Sequence, residues 1–454
     1  MALYLGIDLG TSYFKAGLFD DAGSLRGLGR VAVEPQTPAP GRVEVPVEVF
    51  WQRLRQALDQ ALAEANAGPD QVAALSYSSQ ANSFILLDRG DRALTPLILW
   101  TDARTGSVSE DWEAFAQSEA FQRHVGFQGI SGGSAVGTWR WFADHEPAIW
   151  PRVRWQLTIS DYFTFAMTGE RVGDASTAAF LGLYDLAAKV WWPEALRTFG
   201  VDPERLARPL RPGTRCGLTT RQGAALLGVP AGIPVAVGGL DHHIAAFGSG
   251  VGRFADMSIS TGTVLAALGL VDEPSQKPGC CHGPHVDGRR YFRLAFDPNG
   301  AGQLEDYQRR FAPSRSIDQL IALAAAVPPR TRPACEPSAD FSNREHGIAV
   351  RQLLERIAAA HRSLVLQVSS LREIRRIAAT GGGARSPLWL QIKADMLGVS
   401  LLRSSSERAC LGAATIAAAA SGRFSTLDEA ALAMIHPGGT FEPNPSAAAL
   451  YRGQ

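Results

Sequence analysis

Polar residues and glycine at the tip of a predicted hairpin form the first of four clusters in this sequence that could carry chemistry. The cluster consists of Asp8, Gly10, Thr11, Ser12 and Lys15, and an apolar run typical of a β-strand lies on each side of it. Glycine lets the backbone approach a ligand closely, and the hydroxyls, amides and lysine can bind phosphate oxygens. A carboxylate at the mouth of such a turn suits a bound Mg²⁺. The alternative is an ordinary hairpin with a small polar turn.

The second cluster is a carboxylate that follows a predicted strand and begins a predicted helix. Asp241 and His242 stand there, directly after a Gly-Gly-Leu segment. The positive potential at a helix N-terminus favours an ionised carboxylate, which could accept or direct the proton of an attacking alcohol. The alternative is that Asp241 only caps the helix. A later hairpin turn containing Gly262 and Thr263 offers a second phosphate-binding turn and favours the catalytic interpretation.

The third cluster is a glycine-rich loop between a predicted strand and a predicted helix. Residues 380–387 read TGGGARSP and include Gly382, Gly383 and Ser386. Consecutive glycines let a flat ligand lie against the backbone, and amides at a helix start can bind an α-phosphate. The spacing fits neither a Walker loop nor the Rossmann fingerprint.

The fourth cluster combines an amide, an aromatic ring, an acid and a base: Gln80, Trp100, Asp102 and Arg104. Tryptophan offers a face for C–H groups, whereas the polar side chains bind hydroxyls, so the cluster suits a polyhydroxylated ligand. The alternative is a buried structural pair of Asp102 and Arg104 beside a packed tryptophan.

The elements that must position these clusters form two halves of similar design. Each half opens with a strand, a small polar turn and a returning strand, and continues with helices and strands. The sequence predicts hairpins over 3–19 and 255–270, helices over 47–67, 353–368 and 387–397, and strands over 72–77, 233–237 and 374–379. Two such hairpins could hold one polyphosphate from both sides.

Size and charge exclude several classes of protein. The chain has 454 residues, which predicts two or three domains, and its 44 Lys and Arg balance 44 Asp and Glu. It therefore has no basic field for nucleic acid or an anionic membrane. The N-terminus lacks the pattern of a signal peptide, and no apolar run reaches the ~20 residues that a membrane span needs, so we expect a cytoplasmic protein. The five scattered cysteines indicate structural thiols rather than disulfides or a metal site.

In order and spacing, the four clusters resemble the motifs of the FGGY family of carbohydrate kinases, within the actin-like ATPase superfamily. The resemblance covers nearly the whole chain and is carried by residues 6–20, 86–104, 239–250, 380–398 and 407–414. It implies an α/β fold with two actin-like (ribonuclease H-like) domains, each a mixed sheet flanked by helices, and an interdomain cleft. Residues 1–237 would bind the sugar and carry the first phosphate hairpin. Residues 238–454 would carry the catalytic aspartate, the second phosphate hairpin and the adenosine site.

The resemblance also implies ATP-dependent phosphorylation of a sugar hydroxyl, with a ketopentose such as xylulose as the expected acceptor and Asp241 as general base. Asp8 would hold Mg²⁺. The nucleotide would be bound by Thr11, Ser12, Lys15, Gly262, Thr263, Gly302, Gly382, Gly383 and Ser386. The sugar would be bound by Gln80, Trp100, Asp102, Asp241 and His242. The expected partners are the sugar and ATP, and a homodimer is left open.

The chain departs from the family pattern at a few positions. Val264 stands where many relatives have a small hydroxyl residue, and Arg356 replaces a common glycine. Residues 79–82 lack the Arg-Glu pair of glycerol kinases, which argues against glycerol. His242 replaces a small or amide residue and could bind a sugar hydroxyl or lie on the helix surface.

Three alternatives to a ketopentose kinase stay open at this point. The acceptor could be a hexulose, a deoxy sugar or a polyol such as erythritol, or the protein could be a catalytically silent sugar-binding regulator. A nucleotide-dependent filament or chaperone protein of the same superfamily is disfavoured, because such proteins lack the segment from Trp100 to Arg104 and an aspartate after Gly-Gly.

Overall fold

Strands and helices alternate along the chain, as the hydrophobic periodicity predicts. A computed structural model describes residues 2–262, 264–274, 277–298, 300, 302–331, 336–404 and 407–451. The strands are β1 Leu3–Leu9, β2 Tyr13–Phe19, β3 Leu25–Ala32, β4 Glu44–Val45, β5 Val72–Ser79, β6 Phe84–Leu87, β7 Leu97–Ile98, β8 Trp155–Thr158, β9 Val172–Asp174, β10 Tyr184–Asp185, β11 Val190–Trp191, β12 Arg208–Leu210, β13 Arg215–Leu218, β14 Pro234–Ala236, β15 Gly239–Leu240, β16 Met257–Thr261, β17 Leu265–Val271, β18 Cys281–Pro284, β19 Tyr291–Asp297, β20 Arg376–Thr380, β21 Ser400–Arg403 and β22 Thr440–Phe441. The helices are α1 Val47–Ala65, α2 Glu110–Gln117, α3 Glu119–Val125, α4 Ala135–His145, α5 Ile159–Thr168, α6 Ala175–Ala178, α7 Pro193–Phe199, α8 Arg221–Leu227, α9 Asp241–Gly248, α10 Gly302–Phe311, α11 Ile317–Ala325, α12 Asn343–Val368, α13 Pro387–Leu397, α14 Arg408–Ala420, α15 Leu427–Met434 and α16 Pro445–Tyr451.

The first of two structural units is discontinuous in sequence and comprises residues 1–248, 271–292 and 409–436. Its main sheet has the order β13-β14-β5-β1-β2-β3, with β15 also paired to β5. Strands β1, β14 and β15 run parallel to β5, whereas β1 and β2 form the antiparallel first hairpin. This is a mixed sheet flanked by helices.

The register of the parallel strands places three chain segments at one edge of this sheet. Ser79 of β5 lies opposite Leu9 of β1 on one side and Leu240 of β15 on the other. Neighbouring strands lie ~4.8 Å apart, so the residues that follow them emerge close together. Ligands of parallel sheets bind at this carboxyl edge. The chain therefore delivers the first hairpin turn, Gln80 and Asp241 to one edge.

Helix α1 packs against one face of the sheet through a row of apolar residues. Phe50, Leu54, Leu58 and Leu62 recur at four-residue spacing and are all buried. On β1, a Cβ atom at Gly6 would lie only 1.9 Å from the carbonyl oxygen of Cys410 in α14. Because glycine has no Cβ, the backbone of α14 can lie directly against the strand that leads to the first hairpin turn.

A second, smaller sheet lies within the first unit. Strands β4, β7, β6 and β8 form a separate sheet. Its core is aromatic, and Trp139 packs edge-on against Phe84 with ring centroids 5.7 Å apart. Trp100 follows β7 of this sheet.

The second unit comprises residues 249–270, 293–408 and 437–454. Its sheet contains the order β19-β17-β16-β20-β21-β22. Strands β16 and β17 form the antiparallel second hairpin, and β20 runs parallel to β16. The unit thus repeats the design of the first, a hairpin with a parallel strand beside its first strand, and the predicted α/β class is confirmed.

Most predicted elements are present, with shifts at their ends. Helix α12 begins at Asn343, ten residues before the predicted start at 353, because Ser342 and Glu345 form a capping box there. The strand predicted over 233–237 is the shorter β14, and β15 follows it. Cys216, Cys280, Cys281 and Cys410 are reduced and form no disulfide, and Cys335 lies outside the described residues. No helix in the described part of the chain combines the length and apolar character needed to cross a bilayer.

Candidate active site

The first hairpin holds a carboxylate in a fixed orientation at its mouth. Asp8 pairs across the hairpin with Lys15, whose Nζ lies 3.3 Å from Asp8 Oδ2. Ser78 Oγ donates to Asp8 Oδ1 at 3.3 Å, and Asp8 is only 8% exposed. No group of three or more metal-ligating side chains occurs among the described residues. A single, nearly buried carboxylate at the mouth of a polar turn fits Mg²⁺, which keeps several waters and takes one or two carboxylates together with substrate phosphates.

The turn of the first hairpin and the fourth cluster form one hydrogen-bonded network. Trp100 Nε1 donates to Thr11 Oγ1 at 2.8 Å, and Thr11 Oγ1 donates to Gln80 Oε1 at 3.1 Å. Ser83 Oγ donates to the same Gln80 oxygen at 3.0 Å and accepts the Trp100 backbone N–H at 2.9 Å. Ser12 is exposed at the tip of the turn. The structure thus joins two clusters that are far apart in sequence.

Trp100 presents a free ring surface within this network. Its side chain is 42% exposed although its indole N–H is bound to Thr11. Gln80 is almost fully buried, and its Nε2 donates to the Gly10 carbonyl at 3.3 Å. Gln80 therefore holds the hairpin turn from its buried side, while Trp100 presents an oriented apolar ring on the exposed side.

Asp102 and Arg104 form the buried pair that the sequence left as an alternative. Arg104 Nε and Nη2 donate to the two carboxylate oxygens of Asp102, both at 2.8 Å, and Nη2 also donates to Glu44 at 2.5 Å. Val43 N–H donates to Asp102 at 2.7 Å, and Asp102 is 2% exposed. Both carboxylate oxygens of Asp102 accept hydrogen bonds from the protein. Asp102 and Arg104 therefore anchor the chain segment that contains Trp100.

Asp241 is the first residue of α9 and is partly exposed. Its Oδ1 accepts the His242 N–H at 2.7 Å, while His242 is also partly exposed. The preceding residue is anchored, since Leu240 N–H donates to Ser176 Oγ at 2.9 Å, and Ser176 in turn donates to Asp174 at 2.7 Å. Asp241 is therefore held at a fixed backbone position with its carboxylate accessible.

His243 of this helix forms a buried pair with His285, which sequence reasoning missed. His243 Nε2 lies 2.9 Å from Nδ1 of His285, and burial lowers the pKa of both imidazoles, that of His243 further lowered by His285. Nδ1 of His243 has no hydrogen-bond partner among the described residues. When His243 carries its proton on Nε2 and donates it to His285, its Nδ1 is an acceptor, so no N–H group is left unpaired. No sequence spacing signals this contact, because the residues are 42 positions apart.

We expect acid to destabilise the protein through this pair. Burial lowers the pKa of His285 to about 4 from an ordinary value near 6.5. Between these values the unfolded chain binds the proton and the folded protein does not, so the free energy of unfolding falls as pH decreases from 6.5 towards 4. His285→Asn should reduce this fall by up to about 3 kcal/mol. Urea unfolding at several pH values measures it. The exposed His145→Asn should keep the wild-type profile, and an unchanged profile in His285→Asn would contradict the prediction.

In the second unit, the glycine loop (residues 380–387) packs onto the end of β16. Gly381 has φ of 79°, a left-handed conformation that favours glycine, and a Cβ atom there would lie 2.5 Å from the Thr261 carbonyl oxygen. Gly382 is exposed and Gly383 buried. Ser386 caps α13 by accepting the Trp389 N–H at 3.2 Å. The loop and the second hairpin therefore meet within this unit.

Three predicted nucleotide residues remain: Gly262 and Gly302 belong to the same unit, and Thr263 lies outside the described residues. Gly262 N–H donates to the Val264 carbonyl at 3.3 Å, closing the turn of the second hairpin. Gly302 is the first residue of α10, with open space where a Cβ atom would stand.

Comparison with solved structures defines the class of protein. Xylulose kinase from Rhodospirillum rubrum superimposes with a TM-score of 0.83 at 25% identity, covering 99% of this chain and 96% of that one. The fold is that of the sugar kinases with two actin-like ATPase domains, as predicted.

Sequence comparison defines the family. The model of the FGGY carbohydrate kinases matches with its N-terminal domain over residues 3–248 and its C-terminal domain over residues 324–421. The chain is similar to L-xylulose/3-keto-L-gulonate kinase of Escherichia coli, at 25% identity over 99% of this chain and 94% of the relative. It is also similar to xylulose kinase of Bacillus subtilis, at 26% identity over 100% of this chain and 95% of the relative. The chain belongs to the FGGY family and is an ATP-dependent carbohydrate kinase.

Proposed function

We propose that this kinase transfers the γ-phosphate of ATP to a hydroxyl of a ketopentose of the xylulose type, with Asp241 as the general base. The observation that carries the proposal is the common edge of β1, β5 and β15, from which the first hairpin turn, Gln80 and Asp241 emerge. The acceptor is inferred from relatives named as xylulose kinases.

Asp241 would accept the proton of the attacking hydroxyl. Its carboxylate is partly exposed, and its backbone is fixed through Leu240 and Ser176. Phosphoryl transfer depends on positioning and charge neutralisation more than on covalent help from the protein. A fixed and accessible base therefore suits the reaction.

Charge on the phosphates would be neutralised at the first hairpin. Asp8 would hold Mg²⁺, largely through water, and the ion would supply positive charge to the phosphate oxygens. Thr11, Ser12 and Lys15 would bind those oxygens directly. The contact between Lys15 and Asp8 orients both groups before the nucleotide arrives.

The sugar would lie against the exposed ring of Trp100. The C–H face of a sugar packs well on an indole, and the contact between Trp100 and Thr11 holds that ring in place. Gln80, Asp241 and His242 would bind hydroxyls. Asp102 would act through its pair with Arg104, which supports the Trp100 segment.

The second unit would bind the rest of the nucleotide. Gly382, Gly383 and Ser386 in the glycine loop would hold the adenosine together with Gly302, while Gly262 and Thr263 would contact phosphate. The α13 N-terminus that follows the loop favours anionic groups.

A coupled assay of ADP release tests the proposal. The panel is D-xylulose, L-xylulose, ribulose, 3-keto-L-gulonate, a hexulose, erythritol and glycerol, each compared with a reaction lacking sugar. We expect the highest kcat/KM with a ketopentose. A higher value with a hexulose or polyol would overturn the proposed acceptor, and ADP release that no sugar stimulates would indicate the regulator alternative.

A further inference from the structure

Three buried polar side chains bind consecutive residues of β16 immediately before the turn of the second hairpin. They come from β20, α12 and α13, three separate elements of the second unit. The contacts are Thr380 Oγ1 to the Ile259 carbonyl at 3.3 Å, His361 Nε2 to the Ser260 carbonyl at 3.0 Å, and Lys393 Nζ to Thr261 Oγ1.

Lys393 is the unusual member of this group because it is a buried cation. Its side chain lies on α13 and is 1% exposed, with the Trp389 ring centroid 4.6 Å from Nζ. No carboxylate forms an ion pair with it in the described part of the chain. Burial lowers the pKa of Lys393 to about 7. Burying such a group costs stability, and an apolar side chain would be cheaper at this position.

His361 is a second buried titratable group beside Lys393, and it carries no charge that could balance the ammonium. It donates from Nε2 to the Ser260 carbonyl, and its Nδ1 has no partner among the described residues. Burial and the charge of Lys393 hold the pKa of His361 well below its usual value. The imidazole therefore stays neutral.

Thr261 is the point where the lysine, the second hairpin and the glycine loop meet. Gly381 and Gly383 both pack on Thr261, since Cβ atoms there would lie 2.5 and 2.7 Å from its atoms. The next residue is Gly262, which closes the turn. A displacement of the Thr261 side chain would thus reach both the turn and the loop.

We propose that Lys393 is a positioning residue for polyphosphate binding, which holds the end of β16 against the glycine loop through the hydroxyl of Thr261 and places a positive charge at that strand end. The inference rests on the proposed nucleotide role of these two segments. A diphosphate or triphosphate would experience this charge, whereas adenosine would not. The cost of burying the ammonium is then offset when the anionic ligand binds.

Isothermal titration calorimetry with Mg²⁺-ADP and with adenosine on the full chain tests the proposal without knowledge of the sugar. Lys393→Met keeps the length of the side chain and removes the charge. We expect it to weaken ADP binding about 10-fold or more, the scale of a lost hydrogen bond to a charged group, and adenosine binding less than about threefold. Thr261→Val should have a similar effect, and the double variant should be no worse than either alone.

The controls separate positioning from general damage. Arg372→Met removes an exposed cation of the same unit and should bind both ligands as the wild type does. We expect Lys393→Met to have an unchanged or higher Tm, because a buried charge is gone; if it does not fold, Thr261→Val alone decides. The proposal would be overturned if Lys393→Met bound ADP with wild-type affinity, or if it lost ADP and adenosine affinity equally. If Lys393→Met does not fold, the same two outcomes in Thr261→Val would overturn it. A wild-type protein that binds neither ligand would instead overturn the proposed nucleotide site, and this inference with it.

Discussion

Asp241→Asn is expected to lower kcat by about 10²–10⁴-fold, the usual contribution of a general base. Asparagine keeps the shape of the side chain and can still accept the His242 N–H, so the start of α9 should not change. The amide cannot take a proton from the sugar hydroxyl. The loss should therefore appear in turnover and leave nucleotide affinity within about threefold, because the proposed nucleotide contacts lie elsewhere.

The measurement is the ADP-release assay with saturating sugar, combined with calorimetric titration of Mg²⁺-ADP. Asp144→Asn removes an exposed carboxylate of α4 that pairs with Arg140, and it should retain wild-type turnover. Equal turnover in Asp241→Asn and the wild type would exclude Asp241 as the base. A loss of ADP binding in parallel with turnover would indicate a structural role.

Asp8→Asn is expected to lower turnover by about 10²-fold, the scale of removing one preorganised electrostatic contact to the reacting groups. The substitution removes the anionic charge that would hold Mg²⁺ and breaks the ion pair between Asp8 and Lys15. Because Asp8 is the carboxylate proposed to hold the ion, we expect the Mg²⁺ concentration for half-maximal activity to rise as well.

Titration of activity with MgCl₂ at fixed ATP measures both effects, and chelation by EDTA should abolish wild-type activity. Asp59→Asn, which removes an exposed carboxylate paired with Arg55 on α1, is the matched control. An Asp8→Asn enzyme with the wild-type Mg²⁺ dependence would contradict the proposed metal role.

Local patterns were sufficient to predict the elements that carry the site. The first hairpin follows from two apolar runs around a small polar turn, α1 from four-residue apolar spacing, and α13 from the Ser-Pro helix start. The sequence did not reveal that the strand over 233–237 ends early and that β15 then pairs with β5. Two residues carry too little periodicity to signal a strand, and only tertiary pairing creates it.

The composition of the candidate site was predictable, but its internal connections were not. Residue types suggested Thr11, Gln80 and Trp100 separately, yet the hydrogen bonds among them join positions 69 and 89 residues apart. Burial decides the state of the other groups. Asp102 is held by Arg104, and Lys393 is enclosed on a helix where the sequence pattern gave no reason to single it out.

The packing of α14 against Gly6 sets a limit on how this polypeptide can mature during its synthesis. Most of the described chain lies between Gly6 and Cys410, so this helix is synthesised long after the strand that it covers. The surface of β1 that faces α14 therefore stays uncovered until α14 has been made. Nascent chains of this kinase should thus expose an apolar strand surface while the residues in between are being translated.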